Sequence, residues 1–309
     1  MTNLITGAFS FSGRFIAEEL LKTGEKVETL TGHPRPEFPY FNKITIKQFN
    51  FDNFDAMVEN FRGVNTFYNS YWIRFPHGNT TWRDAIVNSK KLFRACKIAG
   101  VKKIVHISVT NPNLDSPYSY FKGKAVVEEL LKRSGVPYTI LRIAWMYEEG
   151  DILVNNIAWI LKRLPIFGVF GGGSYKLQPV SLRTLGKVAV ENRYLGDKTI
   201  NINKIIDVIG PETYTYYEFV SLINKSIKAK TLILPSPWFA VYIPIFVSKI
   251  LNIVLRDRLL TIDEIYSLKD NLLLTDSQPI GEKSFKKWVI RNKERLGLKW
   301  ANEIKRHYY

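Results

Sequence analysis

The stretch "NLITGAFSFSGRFIAEELL" (residues 3–21) decides how the fold is read. Four residues of strand character, Asn3 to Thr6, run directly into a glycine turn, and the apolar residues after it recur at helical spacing. A strand, a glycine turn and a helix in that order form the device that seats a dinucleotide pyrophosphate. Its first glycine lets the chain turn sharply, its second lets backbone approach the phosphates, and its third lets helix and strand pack closely. Gly7 and Gly13 hold the outer positions, but Ser10 stands where the middle glycine is expected. A serine hydroxyl can donate to a phosphate oxygen, and the helix N-terminus after Gly13 supplies N–H groups and a favourable dipole. The turn is therefore read as a nucleotide site with one altered position. A bare strand-to-helix turn without a ligand is the competing reading.

Outward from this turn, short apolar runs alternate with helical patterns through the first 145 residues. The expected strands are "NLIT", "KVETLT", "KITIKQF", "VNTFYNS", "KKIVHISV" and "YTILRI"; the expected helices between them are "GRFIAEELLKTG", "FDAMVENFRG", "TTWRDAIVNSKKLFRACKIAG" and "SYFKGKAVVEELLKRSG". Alternation with short connections predicts an α/β, doubly wound parallel sheet of the Rossmann type. The expected division is a dinucleotide-binding core over residues 1–150, to which 175–205 return, and a smaller, mainly helical substrate-side lobe over 151–174 and 206–309. In that lobe "DILVNNIAWILKRLPIF" reads as a helix, followed by a loop, a short extended piece and a second helix over "FGGGSYKLQPVSLRTLGKVAVENRYL".

Composition narrows the function. A single cysteine, Cys96, excludes a disulfide framework and fits a reducing compartment. The four histidines show no metal-ligand spacing, so no metal site is expected. The net charge is +16, yet lysine is spread along the whole chain and no nucleic-acid-binding motif accompanies it, so nucleic acid is not the expected partner. The densest basic stretch, from Gly281 to Tyr309, reads as a pair of amphipathic helices with a charged outer face. No signal peptide is read at the N-terminus, and the expected location is cytoplasmic. Residues 231–248 carry no charge. Pro235, Pro237 and Pro244 interrupt that run, which favours a buried or pocket-lining segment over a membrane span. Peripheral contact with a membrane or a membrane complex through residues 231–255 is the second reading.

Cofactor choice is read after the second strand, where an acidic residue would hold the ribose hydroxyls of NAD. Thr31, Gly32, His33 and Arg35 occupy that region, with no carboxylate before Glu37. With Arg14 directly after the glycine turn, this favours NADP, the arginines offering forked donors to a 2′-phosphate; solvated surface arginines are the alternative. Further along, Tyr120 and Lys124 stand four apart and share one helix face. A lysine ammonium there can bond a ribose and lower the pKa of a neighbouring phenol, normally near ~10, for proton exchange with a carbonyl or alcohol. Tyr118 and Lys122 have the same spacing; Tyr120–Lys124 is chosen because "KAVVEELL" continues an amphipathic helix from Lys124. The loop "NSYWIRFPHGNTTW" sets Arg74 and His77 among aromatics, as a capping loop or a substrate-facing one.

"TGAFSFSGR", "HIS" at the end of the fifth strand, "YFKGKAVVE", "YTILRIAWMY" and "QPVSLRTLGKVA" occur in the order and spacing of the extended and atypical short-chain dehydrogenase/reductases. Over residues 1–215 the chain resembles their NmrA-like and NAD(P)-dependent epimerase/dehydratase members, among them the Rossmann-fold accessory subunit of respiratory complex I. The resemblance implies that Gly7, Ser10, Phe11, Gly13 and Arg14 cradle the pyrophosphate and any 2′-phosphate. It implies that Asn50 and Phe51 flank the adenine, and that Asn69 and Ser70 pass under the ribose and nicotinamide. Ser108 or Thr110 is then the hydroxyl that orients a substrate oxygen, Tyr120 the acid/base and Lys124 its partner. The expected function is hydride transfer between NADP(H) and a small-molecule substrate, which the apolar "PSPWFAVYIPIF" stretch suggests is not strongly polar. Two rivals stand beside it: a non-catalytic NADPH-binding sensor or accessory subunit of a membrane complex, and a sugar-nucleotide epimerase or dehydratase.

Overall fold

A computed structural model describes residues 1–193, 203–238 and 261–308. It falls into two compact units, Met1–Ile143 with Leu182–Val208, and Ala144–Ser181 with Ile209–Tyr309.

The first unit is a seven-stranded sheet. Its strands are β1 (Thr2–Thr6), β2 (Lys26–Thr31), β3 (Thr45–Gln48), β4 (Thr66–Asn69), β5 (Lys103–Val109), β6 (Tyr138–Ile143) and β11 (Lys204–Val208). They lie in the order β11-β6-β5-β4-β1-β2-β3, and every pairing is parallel. The order reverses between β1 and β4, so the crevice beyond their carboxyl ends is where a doubly wound sheet binds its ligand. All seven residues of β5 are buried, as befits a strand covered on both faces. The expected doubly wound Rossmann class is the observed one.

The helices are α1 (Gly13–Leu21), α2 (Phe54–Phe61), α3 (Trp82–Ala99), α4 (Ser119–Lys132) and α6 (Leu182–Glu191). Helix α3 shows how local sequence sets the bounds. Thr81 and Asp84 form a capping box at its start, and Gly100 at φ 76° closes its end. One core cluster fills the space between α2, α3, α4 and the sheet, with Phe61, Phe67, Leu92, Cys96, Val127 and Ile140 among its members. On the other side α6 lies against α1 so closely that a Cβ on Gly186 would stand 2.4 Å from the Phe15 carbonyl oxygen.

The second unit holds three two-stranded sheets as well as helices. Strand β7 (Trp145–Tyr147) pairs β10 (Pro179–Ser181), β9 (Lys176–Leu177) pairs β12 (Tyr214–Thr215), and β8 (Ile166–Phe170) pairs β13 (Leu232–Ser236). Among the described residues its helices are α5 (Ile152–Leu161), α7 (Tyr216–Ser226) and three further ones at Ile262–Lys269, Phe285–Asn292 and Glu303–Tyr308. Their core is aromatic: Phe219 stacks on Phe285 at 4.7 Å, and Tyr147 meets Phe285 edge-on at 5.0 Å. One expected helix is corrected. Residues 151–167 do not form a single helix: α5 stops at Leu161 and β8 begins at Ile166. Pro165 lacks an N–H and disfavours helix at the residue before it, so the chain leaves the helical path ahead of it. Of the run 231–255, residues from Phe239 onward lie outside the described residues. No helix among the described residues is long and apolar enough to cross a membrane.

Candidate cofactor site

Because the sheet is parallel, its connections deliver the candidate residues to one edge. At the end of β1, Gly7 adopts φ 66°, a conformation that side chains rarely tolerate, and its N–H donates to the Leu30 carbonyl at 2.9 Å. Ser10 N–H donates back to the Gly7 carbonyl at 2.8 Å, closing the turn. A Cβ on Gly13 would stand 2.1 Å from the Gly7 oxygen, so the third glycine is demanded by backbone contact. The Ser10 side chain lies between the two glycines, its Oγ 3.3 Å from where a Cβ on Gly7 would stand. Its Oγ accepts from the Gly13 N–H at 3.1 Å, while the N-cap residue Ser12 makes no capping bond. The substituted side chain thus satisfies one of the four unbonded N–H groups that begin any helix, and its hydroxyl proton points elsewhere. Phe11 and Arg14 follow on the same turn. The Arg14 guanidinium lies 4.5 Å over the Phe15 ring and 5.8 Å from that of Phe11.

The segment after β2 folds back over this turn. Phe9 packs against Phe38, Tyr40 and Phe41, and the Tyr40 hydroxyl donates to the Ala8 carbonyl at 3.2 Å. His33 is exposed, its N–H donating to Thr31 Oγ1 at 3.0 Å, and Arg35 pairs with Glu37 at 3.7 Å. The carboxylate of β2 itself, Glu28, is buried and held by Lys26 and Lys47, each at 2.6 Å. Burial alone raises its pKa, but the bonds and charges of the two lysines outweigh that and hold it below the usual range. It is therefore committed, and no other carboxylate stands between it and Glu37. After β3, exposed Asn50 accepts from the Asp52 N–H at 2.8 Å, and Phe51 joins Phe49 and Tyr71 in an aromatic platform with centroids 4.4 to 5.5 Å apart.

At the end of β4, Asn69 and Ser70 are tied into the framework. Ser70 N–H donates to Thr6 Oγ1 at 2.7 Å, and its hydroxyl donates to the Thr6 carbonyl, which locks β4 to β1. Asn69 is buried; its Oδ1 accepts from the Tyr71 N–H at 3.1 Å, which turns its amide NH2 toward His106 Nδ1, also 3.1 Å away. That arrangement assigns Nδ1 as acceptor and places the imidazole proton on Nε2, a buried atom with no hydrogen-bond partner. Burial, with the Lys124 charge nearby, pushes the His106 pKa well below the ordinary histidine value, so the ring is neutral.

Tyr120, Lys124 and Glu128 recur at four-residue intervals along α4 and form one stripe. Lys124 is buried, whereas Lys122 is exposed. Lys124 Nζ donates to the Ile107 carbonyl at 2.9 Å and lies 5.1 Å over the Trp72 ring. Burial lowers its pKa to about 7, against the opposing pull of Glu128. The Tyr120 ring meets the same Trp72 ring edge-on at 6.1 Å, so the indole stands beside both members of the pair. Gly123 permits this, since a Cβ there would meet the indole at 2.8 Å. Ser108 donates to Glu128 Oε1 at 2.6 Å, and Glu128 also holds Arg142 with a forked pair at 3.0 and 2.7 Å. Thr110, likewise buried, sits just past β5, its N–H donating to the Ile143 carbonyl at 3.1 Å. His77 and Thr80 bond each other's backbone in a small hairpin that carries the loop. Trp72, His106, Glu128 and Arg142 are the residues that sequence reading passed over. Glu128 had a spacing signal there, as the third member of the four-residue repeat, and His106 stood in the "HIS" motif without a role of its own.

Residues 7–157 match the protein family described as NAD(P)H-binding. The chain is 23% identical over 233 residues to the mitochondrial NADH dehydrogenase [ubiquinone] 1 alpha subcomplex subunit 9 of Arabidopsis thaliana, covering 72% of this chain and 57% of that protein. It therefore spans little more than half the length of that relative. Among solved structures, the triphenylmethane reductase of Citrobacter sp. superposes with a TM-score of 0.73 at 17% identity, over 95% of this chain and all of that one. A nucleoside-diphosphate-sugar epimerase from Staphylococcus aureus gives 0.71 at 15% identity, over 94% of this chain and all of that one. At such identities the likeness is one of fold. Taken with a glycine turn that opens α1 at the switch point of a doubly wound sheet, these matches show an NAD(P)H-binding Rossmann domain over residues 7–157 and support the resemblance to the extended short-chain dehydrogenase/reductase-like superfamily.

Proposed function

We propose that the protein is an NADP-preferring oxidoreductase in which Tyr120 is the acid/base, Lys124 its partner and Ser108 or Thr110 the hydroxyl that orients the substrate oxygen. One observation carries this reading: the buried Lys124 and the Tyr120 ring stand on one face of α4, at the sheet edge where the glycine turn opens. The turn fits a pyrophosphate, because Gly7 and Gly13 keep Cβ atoms out of it and Ser10 folds its side chain back onto α1. The preference for NADP rests on the region after β2, where His33, Arg35 and the nearby Arg14 are not offset by a free carboxylate before Glu37.

When bound, the nicotinamide supplies hydride exchange with a substrate carbon. The chain's own residues handle the proton. A lysine titrating at about 7 sits near neutrality, so small changes around it set how strongly it favours the tyrosinate form of Tyr120. Ser108 or Thr110 is the hydroxyl that holds a substrate oxygen; the Ser108 hydroxyl donates to Glu128 Oε1 at 2.6 Å. Neutral His106 beneath Lys124 spares the site a second buried cation.

The second reading is a protein that holds NADPH without turnover, as an accessory subunit of a membrane complex. It is favoured by the name of the Arabidopsis relative and by the Lys124 ammonium, which already bonds Ile107 O under the Trp72 ring. Calorimetric titration with NADPH and NADH, followed by NADPH oxidation over a panel of ketones and quinones, separates the possibilities. Tight NADPH binding with turnover lost in Tyr120→Phe supports the oxidoreductase. Tight binding with no turnover in the unaltered chain moves the assignment to the accessory role, and binding of neither cofactor sinks both.

A further inference from the structure

One face of the second unit has no cover among the described residues. In the parallel pair β8–β13, Phe167, Val169 and Ile233 turn inward to the aromatic core. Their neighbours turn outward: Ile166 is 52% exposed and its directly paired Leu232 is 58% exposed, with Leu234 exposed one step along. Period-two alternation ordinarily puts polar residues on such an outer face. Leu164 extends the apolar row, and Leu298 adjoins it, because Arg163 reaches across to the Gly297 and Leu298 carbonyls at 3.0 and 3.2 Å. A contiguous aliphatic surface of this kind marks an interaction site.

Charge identifies the partner. Three segments build the surface, residues 159–170, 225–238 and 297–300, and they contain six lysines and arginines and no aspartate or glutamate. They are bound together by Leu232 N–H to Pro165 O at 2.9 Å and by Lys162 Nζ to Leu296 O at 2.6 Å. The cations of Lys162 and Arg163 are thus anchored to backbone carbonyls, so no carboxylate of these segments neutralises them. Trp159 and Trp300 meet edge-on at 5.2 Å at the rim, with the Arg163 guanidinium 4.4 Å over Trp159. Aliphatic centre, tryptophan rim and basic flank are the pattern of a surface that enters the headgroup layer of a bilayer. A second copy of the chain is a poor occupant, because it would set six more cations against these six.

We propose that the β8–β13 face docks on an anionic lipid bilayer, with Ile166, Leu232 and Leu234 entering the headgroup layer and the basic side chains meeting lipid phosphates. This goes beyond the cofactor reading and does not depend on it. The whole protein is co-sedimented with phosphatidylcholine vesicles with and without phosphatidylglycerol. The unaltered chain is compared with Ile166→Ser/Leu232→Ser, Lys228→Gln/Lys230→Gln and a control on the exposed side of α3, Val87→Ser/Ile98→Ser. The expected result is binding to the anionic vesicles only. Loss of two aliphatic insertions weakens it about tenfold or more, the lysine pair weakens it to a lesser degree, and the control leaves it unchanged. NADPH titration and melting of each variant verify that the fold is intact, since all these positions are exposed. Equal binding by the serine pair and the control would show that overall charge alone holds the protein on lipid, and would overturn the proposal. So would no binding at all, or equal binding to neutral vesicles. Sedimentation velocity without lipid completes the test: a dimer abolished by Ile166→Ser/Leu232→Ser would hand the face to a second copy instead.

Discussion

Ser10 is the residue at which the glycine turn departs from pattern, and its hydroxyl accepts from the Gly13 N–H. Ser10→Ala therefore removes a helix cap and should cost about 1 kcal/mol, read as a lower melting temperature. Ser10→Gly restores the middle glycine and should bind NADPH no more weakly; a large loss of affinity in that variant would instead show that the hydroxyl itself meets a phosphate. Gly13→Ala is harsher, because the new methyl meets the Gly7 carbonyl at 2.1 Å and the backbone has to move. Overpacking of this order costs about 1–3 kcal/mol, and cofactor binding should vanish with it. Lys124 makes a pH prediction. Its folded pKa of about 7 lies below the ordinary lysine value, so between the two the unfolded chain binds the extra proton and stability rises with pH. Lys124→Met removes the burial penalty and should be the more stable protein at pH 7, by as much as a few kcal/mol. That advantage should shrink steadily toward pH 10 in paired urea melts; a difference independent of pH would mean that Lys124 stays charged in the fold.

At the scale of elements, α4 joins two jobs on one stripe: Tyr120 and Lys124 near its start, and Glu128 one turn deeper against β5 and β6. Glu128 accepts from the Ser108 hydroxyl and from Arg142 Nε and Nη2, so the strands that carry Ser108 and Arg142 are pinned to the helix that carries the pair. Glu128→Gln removes the carboxylate that forks to the half-buried Arg142, leaving Asp207 as the opposite charge acting on it, and should cost roughly 2–4 kcal/mol. Arg142→Leu in the same chain should recover part of that loss, and additive losses would show that the two do not act as a unit. The elements themselves were plain in the sequence. β2 and β6 begin and end where "KVETLT" and "YTILRI" do, because turn residues mark their starts, Gly24 before β2 and Gly135 with Pro137 before β6. The end of α5 was misread because its apolar pattern runs on into β8 and the decisive signal was a single proline. Trp72, His106 and Arg142 escaped notice for another reason. Trp72 follows β4, His106 lies in β5 and Arg142 in β6, and they meet α4 only through the sheet order, which no local spacing encodes.

For the molecule as a whole, charge is the property that sequence states most fully and fold interprets least. Several carboxylates are committed to local pairs, as Glu28 is to Lys26 and Lys47 and Glu128 is to Arg142, which leaves the surplus of +16 as mutual repulsion over the surface. Repulsion among exposed charges reaches beyond contact distance at low salt and is screened once the Debye length falls from about 30 Å at 0.01 M to about 8 Å at 0.15 M. These pairs are in contact and their carboxylates are buried, so they are screened less. The repulsive term should therefore relax first, and the melting temperature should rise as sodium chloride is raised from low to physiological concentration. Chloride is the salt to use, because sulfate or phosphate could occupy the glycine turn and stabilise the fold as a ligand. A melting temperature that falls across that range would mean that exposed ion pairs outweigh the net charge, and the surplus cations would then be held in attractive contacts already.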